Sequence, residues 1–260
     1  MSDLDLSVAE GQAKRILEGL GFAARKIPRT HERTADFDVV GDGPGYLVEV
    51  KSRLLDERLA NPSEPIGDLV EKSMRHDPAV VKWLSNSKQQ FRAQDPRHER
   101  LWFLWCAMEA PFGRENQAER IISVLYGARI ARDIEPPHRM PVVLYAKPAA
   151  FDGFPEIDGA VVALPEDSLM TFCPNEGSPR FDAVMRSQLV RSLRHHGMGP
   201  ILPTERAAAM KGYVVPKNVR GKGDVAALRY VQQATGLPYL NFMAIEVEYM
   251  QTGRIPQAAL

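Results

Sequence analysis

The sequence has little of what marks an exported or membrane-embedded protein. Cysteine occurs twice, as Cys106 and Cys173, and two isolated cysteines predict neither a disulfide scaffold nor a zinc site. No apolar run approaches the roughly 18 residues that a membrane span requires. The first ten residues have neither a basic start nor a hydrophobic stretch that would direct export. We therefore expect a cytoplasmic protein with reduced thiols and no membrane partner.

An excess of charge and an obvious internal repeat are also missing. The 33 basic and 33 acidic residues balance, so net charge gives no argument for a nucleic-acid-binding protein. Hydrophobic residues make up 44% of the chain, which is ordinary for a globular protein. With 260 residues the chain is long enough to bury a substantial core, as one large domain or two small ones.

One stretch, residues 35–53, combines side chains that suit a single chemistry. Two apolar-alternating runs flank the glycine-rich segment 41–45, whose length and composition predict the turn of a β-hairpin. Charged residues interrupt both runs: Asp36, Asp38, Glu49 and Lys51. The sequence thus predicts carboxylates and an ammonium group on two neighbouring strands.

Strand geometry predicts which of these side chains meet. Residues two apart project from the same face, so Glu49 and Lys51 share one face while Val50 points into the opposite, apolar layer. Asp36 and Asp38 also share a face of the partner strand, so one register brings an aspartate beside this pair. Carboxylate and carbonyl oxygens are the ligands that Mg²⁺ prefers, so Asp36, Glu49 and the Val50 carbonyl would form an open metal site. The alternative is an ordinary solvated face of a hairpin, in which these charges have no catalytic role.

The pattern of an aspartate, a short hairpin and Glu-x-Lys resembles the PD-(D/E)xK superfamily of restriction-endonuclease-like nucleases. Upstream, Glu10 in EGQAKRILEGLGF is similar to the glutamate in the first helix of resolvase-type members. Downstream, SNSKQQF at 85–91 is similar to the helix that follows Glu-x-Lys and carries a polar Lys or Gln in many members. Ala35 stands where the proline of the family name would be.

The resemblance implies a metal-dependent nuclease, above all a DNA endonuclease of defence or repair, that uses Mg²⁺ or, in its place, Mn²⁺. It implies that Asp36 and Glu49 hold the ion. Lys51 would orient the attacking water, and Glu10 would support the ion directly or through water. DNA is expected more than RNA, and the residues expected to contact it are Arg53, Lys88, Gln90, Lys217, Arg220 and Lys222.

Several assignments have alternatives. Glu10 also completes a capping box with Ser7 as the N-cap, which is a structural role. Gln90 would equally suit the solvent-facing side of a helix. The whole chain would also suit a non-catalytic nucleic-acid-binding or protein-interaction subunit that retains the nuclease fold. A symmetric homodimer would suit a double-strand cut, and a partner in a defence or repair complex is the other expectation.

The basic residues concentrate in one part of the chain. Residues 180–229 contain ten basic and only three acidic residues. Such a segment is typical of contacts with phosphates, although solvated helix faces have the same composition.

The order of predicted elements is that of an α/β fold. Helices are predicted over 7–20, 78–93, 117–131, 180–195, 204–210 and 224–234, with a short one near 66–74. Strands are predicted over 22–28, both arms of the hairpin, 101–107 and 141–146; 160–164 and 167–172 suit strands or short helices. We predict a restriction-endonuclease-like core, with a central mixed β-sheet flanked by helices, in residues 1–150. A mainly helical C-terminal elaboration would occupy 151–260 and contact nucleic acid or form oligomers.

Overall fold

A computed structural model describes most of the chain. The described residues are 6–28, 34–53, 78–108, 114–133, 135, 141–146, 149–164, 170–196, 198, 200, 202–209 and 211–242. The helix predicted near 66–74 lies outside them.

The strands form two sheets. In chain order they are β1 Ala23–Lys26, β2 Phe37–Val40, β3 Tyr46–Arg53, β4 Leu101–Met108, β5 Arg129–Asp133, β6 Val142–Leu144, β7 Gly159–Ala163, β8 Met170–Pro174, β9 Tyr213–Val214 and β10 Leu240–Phe242. The larger sheet has the order β1-β2-β3-β4-β7-β8, and the smaller one has the order β10-β5-β6-β9. The larger sheet is mixed, because β3, β4 and β7 are parallel while the outer neighbours pair antiparallel.

Helices flank the larger sheet, as the sequence predicted. In chain order, the helices of the described residues are α1 Val8–Gly19, α2 Pro78–Gln94, α3 Arg114–Leu125, α4 Phe181–Met185, α5 Gln188–His195, α6 Pro203–Ala209 and α7 Asp224–Thr235, with a 3₁₀ turn at Ala150–Gly153. Helices α6 and α7 contact strands of the smaller sheet. Among the described residues, no helix has the length and apolar character needed to cross a membrane.

Strand β4 is the centre of the hydrophobic core. All eight of its residues are buried, because its two faces pack against different layers. Trp102 belongs to a cluster that includes buried residues of α2 and α3. Trp105 points the other way, into a cluster with buried residues of α1 and α5. The strand predicted over 101–107 is therefore present, and it is buried on both faces with both tryptophans in the core.

Two helix predictions were wrong in extent. The helix predicted over 117–131 ends at Leu125, and residues from Arg129 form β5 instead. Gly127 adopts a left-handed φ of 57°, which ends the helical path. The helix predicted over 180–195 is two helices, because the Ser187 hydroxyl accepts a hydrogen bond from the Val190 N–H and starts a new helix.

The region beyond residue 150 contributes to the larger sheet. Strand β7 pairs with β4, and β8 pairs with β7. The described part of this region holds four strands as well as four helices. The division into 1–150 and 151–260 stays a prediction, and strands from both sides of it share one sheet.

A candidate active site on the first three strands

The hairpin of β2 and β3 adopts the register that brings Asp36 to Glu49. Phe37 lies opposite Val48 in the antiparallel pair, so Asp36, one residue before β2, continues the ladder opposite Glu49. The Asp36 N–H donates to the Val48 carbonyl at 3.1 Å, and its carbonyl accepts from the Ile27 N–H at 2.9 Å. Asp36 is thus held by its backbone between β3 and the residue that follows β1.

The Asp36 carboxylate is held at both oxygens. Its Oδ2 accepts a hydrogen bond from the Val50 N–H at 2.8 Å. Its Oδ1 lies 2.7 Å from the Lys26 ammonium, which also forms an ion pair with Glu10. Lys26 therefore joins the carboxylates of α1 and the hairpin. Lys26 was not predicted as a site residue, because its two partners lie on different elements.

Glu10 has the capping role that the sequence indicated, while its support of a metal ion stays a prediction. The capping box is present: the Ser7 N–H donates to Glu10 Oε2 at 2.7 Å, and the Ser7 hydroxyl accepts from the Glu10 N–H at 3.3 Å. The other carboxylate oxygen faces Lys26. Burial by itself would raise the pKa of Glu10, but contacts with Lys26, the Ser7 N–H and Asp36 together lower it to about 2.

Glu49 is the carboxylate whose surroundings most oppose its negative charge. It is only 2% exposed. Burial, together with the negative charge of Asp36, raises its pKa to about 7, although Lys51 and the nearby Gln90 amide oppose this rise. One oxygen forms an ion pair with Lys51. The other, Oε2, is buried and finds no hydrogen-bond donor among the described residues. Glu49 therefore carries an unsatisfied buried acceptor, which proteins seldom tolerate without a reason.

Helix α2 positions the segment that leads into the site. The Gln90 amide donates to the Thr34 carbonyl at 2.9 Å, and the Gln94 side chain accepts from the Ala35 N–H at 3.1 Å. Both contacts lie immediately before Asp36. Gln94 was not predicted, but its position four residues after Gln90 places it on the same helix face. The helix therefore fixes the backbone that presents Asp36.

The oxygen atoms of this site suit a divalent cation. Within the described residues there is no group of three or more His, Cys, Asp and Glu side chains arranged to hold a metal ion. Asp36 and Glu49 nevertheless interact closely enough that one charge raises the pKa of the other. A cation beside Glu49 Oε2 would satisfy this buried acceptor, which has no hydrogen-bond partner among the described residues. Two carboxylates and carbonyl oxygen are the ligand types that Mg²⁺ takes, so the residues fit such an ion.

The residues expected to contact nucleic acid have varied surroundings. Lys88 forms an ion pair with Glu156 at 2.7 Å. Arg220 packs over the Tyr145 ring at 3.2 Å from its centre and donates to a backbone carbonyl. Lys217 and Lys222 are exposed, and Arg53 is the last residue of β3. Lys88 and Arg220 therefore have partners within the protein, and the role of all these residues in binding nucleic acid stays a prediction.

The site as a whole brings three carboxylates and two lysines together from α1, β1 and the β2–β3 hairpin. Glu10 and Asp36 meet at Lys26, and Glu49 pairs with Lys51, while the catalytic role predicted for Asp36, Glu49, Lys51 and Glu10 stays a prediction. No protein-family model matches this chain, and no match to a curated protein or a solved structure was found either. Function therefore has to be inferred from the geometry of the site.

Proposed function

We propose that this protein is a metal-dependent nuclease that hydrolyses phosphodiester bonds, with DNA as the preferred substrate. The observation that supports this most is the state of Glu49. A buried carboxylate with a pKa of about 7 and one unpartnered oxygen, next to a second carboxylate, is typical of a functional site. A surface hairpin with solvated charges would not bury Glu49 to this degree.

In this proposal Asp36 and Glu49, with the Val50 carbonyl beside them, hold Mg²⁺ or Mn²⁺. A bound divalent ion would supply Lewis-acid polarisation of the scissile phosphate. Lys51 lies two residues after Glu49 and on the same face of β3, and its side chain is partly exposed. Its ammonium can therefore meet solvent and substrate, where it orients the attacking water and balances negative charge on the phosphate. Glu10 fixes Asp36 through Lys26.

The architecture supports a restriction-endonuclease-like fold. A helix precedes the first strand, the hairpin carries Asp36 and Glu49, and α2 follows before the buried parallel strand β4. This order agrees with the expectation from the resemblance. It accounts for how Glu10 of the first helix comes to the same place as the hairpin carboxylates.

A second function is favoured by a specific observation. Lys26 and Lys51 already compensate much of the negative charge of the three carboxylates. A non-catalytic nucleic-acid-binding or protein-interaction subunit would keep such internal ion pairs for stability alone. In that case these ion pairs would hold α1 against the sheet, and the protein would have no catalytic activity.

A cleavage assay separates the two functions. Supercoiled plasmid, linear duplex, single-stranded DNA and RNA are incubated with Mg²⁺, Mn²⁺ or EDTA and with wild type, Lys51→Ala or Lys82→Ala. Lys82 is an exposed lysine of α2 and controls for the loss of one positive charge. We expect metal-dependent cutting of DNA by wild type and Lys82→Ala, and a loss of about 100-fold or more in Lys51→Ala.

Two results would contradict the proposal. Folded wild-type protein that cuts none of the substrates would favour the non-catalytic subunit. Equal cutting by Lys51→Ala would remove Lys51 from the mechanism. Faster cutting of RNA than of DNA would change the substrate but keep the chemistry.

A further inference from the structure

Lys26 is a lysine in an unusual position. Its side chain is only 9% exposed, although lysine is rarely buried unless its charge is compensated. Its ammonium contacts Glu10 and lies 2.7 Å from Asp36 Oδ1. The Phe37 ring lies on a further side, with its centre 5.1 Å from the same nitrogen. The site is thus built to hold one positive charge between these carboxylates.

The two carboxylates are arranged around this ammonium in the same way. One oxygen of each carboxylate accepts a hydrogen bond from a backbone N–H: the Ser7 N–H donates to Glu10, and the Val50 N–H donates to Asp36. Each directs its other oxygen to Lys26. The backbone therefore fixes both carboxylates, and Lys26 supplies the charge that keeps them together.

We propose that Lys26 is a built-in counter-cation, which neutralises Glu10 and Asp36 in the metal-free protein and competes with a divalent ion for Asp36. The inference rests on the proposed metal site. It makes Lys26 a positioning residue that sets how tightly the site binds metal. Glu49, which pairs with Lys51 instead, remains the carboxylate that first accepts the ion.

The competition has an electrostatic cause. A divalent ion held by Asp36 and Glu49 would lie close to the Lys26 ammonium, and two positive charges repel strongly where water is largely excluded. Without the ammonium, Glu10 and Asp36 would repel each other, and the metal-free protein would be less stable. The same change removes the repulsion that a metal ion meets. Loss of Lys26 should therefore weaken the metal-free fold and strengthen metal binding.

The test measures Mn²⁺ binding and stability rather than cleavage. EDTA-treated and dialysed wild type, Lys26→Met, Lys26→Arg and Lys82→Met are titrated with MnCl₂ in a calorimeter and unfolded thermally with and without Mn²⁺. We expect Lys26→Met to bind Mn²⁺ at least tenfold more tightly than wild type and to gain more thermal stability from it. Lys26→Arg and Lys82→Met should behave like wild type.

Three results would overturn the inference: weaker or equal Mn²⁺ binding in Lys26→Met, tight binding in Lys26→Arg as well, and no Mn²⁺ binding by either wild type or Lys26→Met. If Lys26→Met does not fold, ¹⁵N-lysine NMR of wild type replaces it. The Lys26 ammonium signal should shift when MgCl₂ is added, and a signal that stays unchanged would also overturn the inference. Metal binding without cleavage would contradict the nuclease proposal while leaving the role of Lys26 intact.

Discussion

Replacement of Glu49 by glutamine tests the electrostatics of the site without requiring that its substrate be known. Glu49 is buried, and its pKa is raised from 4.5 to about 7. Glutamine keeps the shape of the side chain and cannot ionise. We expect Glu49→Gln to be more stable than wild type at neutral pH in the absence of metal, and this advantage to disappear in acid.

The sign follows from where the proton is bound. Below pH 4.5 Glu49 is protonated in both the folded and the unfolded chain, so it has no effect on the pH dependence of folding. Between pH 4.5 and about 7 the unfolded chain loses this proton while the folded chain retains it. Wild type is therefore destabilised as the pH rises through this window, by up to about 3 kcal/mol at 1.36 kcal/mol per pH unit. Above pH 7 the difference is constant.

The assay is urea unfolding of wild type and Glu49→Gln in EDTA at intervals between pH 4.5 and 8. The free energy of unfolding of the variant, minus that of wild type, should increase by about 3 kcal/mol across the series. Glu10 does not disturb the comparison, because its pKa of about 2 affects stability only as the pH falls below 4.5, and it does so in both proteins. Glu205→Gln, at an exposed position of α6, is the matched control.

A flat difference between the two proteins over this range would show that the pKa of Glu49 is not raised in the folded protein. A difference that grew in the opposite direction, with wild type gaining stability as the pH rises, would mean that Lys51 outweighs burial and Asp36. Addition of Mg²⁺ gives an independent check. It should stabilise wild type at pH 8 and have a smaller effect on Glu49→Gln, which lacks the charge that attracts the ion.

Two further predictions concern the packing at the start of β7. Asp158→Asn should lower the free energy of unfolding by about 2–3 kcal/mol, because this fully buried carboxylate accepts hydrogen bonds from the backbone N–H of Trp102 at 2.8 Å and from the Ser178 hydroxyl at 2.6 Å. Urea unfolding measures this loss, and an equal loss in Asp182→Asn, at an exposed position, would contradict the prediction. Gly159→Ala should cost about 1–3 kcal/mol, since a Cβ there would lie 2.9 Å from the Cys173 carbonyl oxygen. Thermal unfolding against Gly153→Ala, whose Cβ would meet no atom within 4 Å, shows whether the close approach is the cause.

The hairpin and its charges could be predicted because their information is local. The alternation of apolar and polar residues along two short runs indicates which side chains share a face, and the glycine-rich turn 41–45 indicates that the two runs pair with each other. The sequence therefore predicted an aspartate beside Glu49, and the register of β2 and β3 makes that aspartate Asp36. The burial of β4 was equally evident, because Leu101–Met108 has no polar residue to place in water.

Features that depend on tertiary contacts escaped prediction. Lys26 looks like any exposed lysine on a short strand, and only the packing of α1 beside β1 brings Glu10 to it. The pKa of Glu49 likewise depends on burial that the sequence of one strand does not specify. The end of α3 was missed because an apolar run continues through Leu125 and Tyr126, and the left-handed Gly127 is a weaker signal than hydrophobic periodicity.

The central place of β4 has a consequence for how the chain folds. Strand β3 pairs with β4, with Tyr46 opposite Leu101, and β4 in turn pairs with β7, with Phe103 opposite Gly159. Both contacts are parallel and distant in sequence, so each requires the closure of a long loop before it stabilises anything. During synthesis, one edge of β3, the strand that carries Glu49, stays unpaired until β4 has left the ribosome, and one edge of β4 stays unpaired until β7 has done so. We infer that the sheet assembles late and that its unpaired edges are exposed meanwhile, the stage at which chaperones protect nascent chains from aggregation.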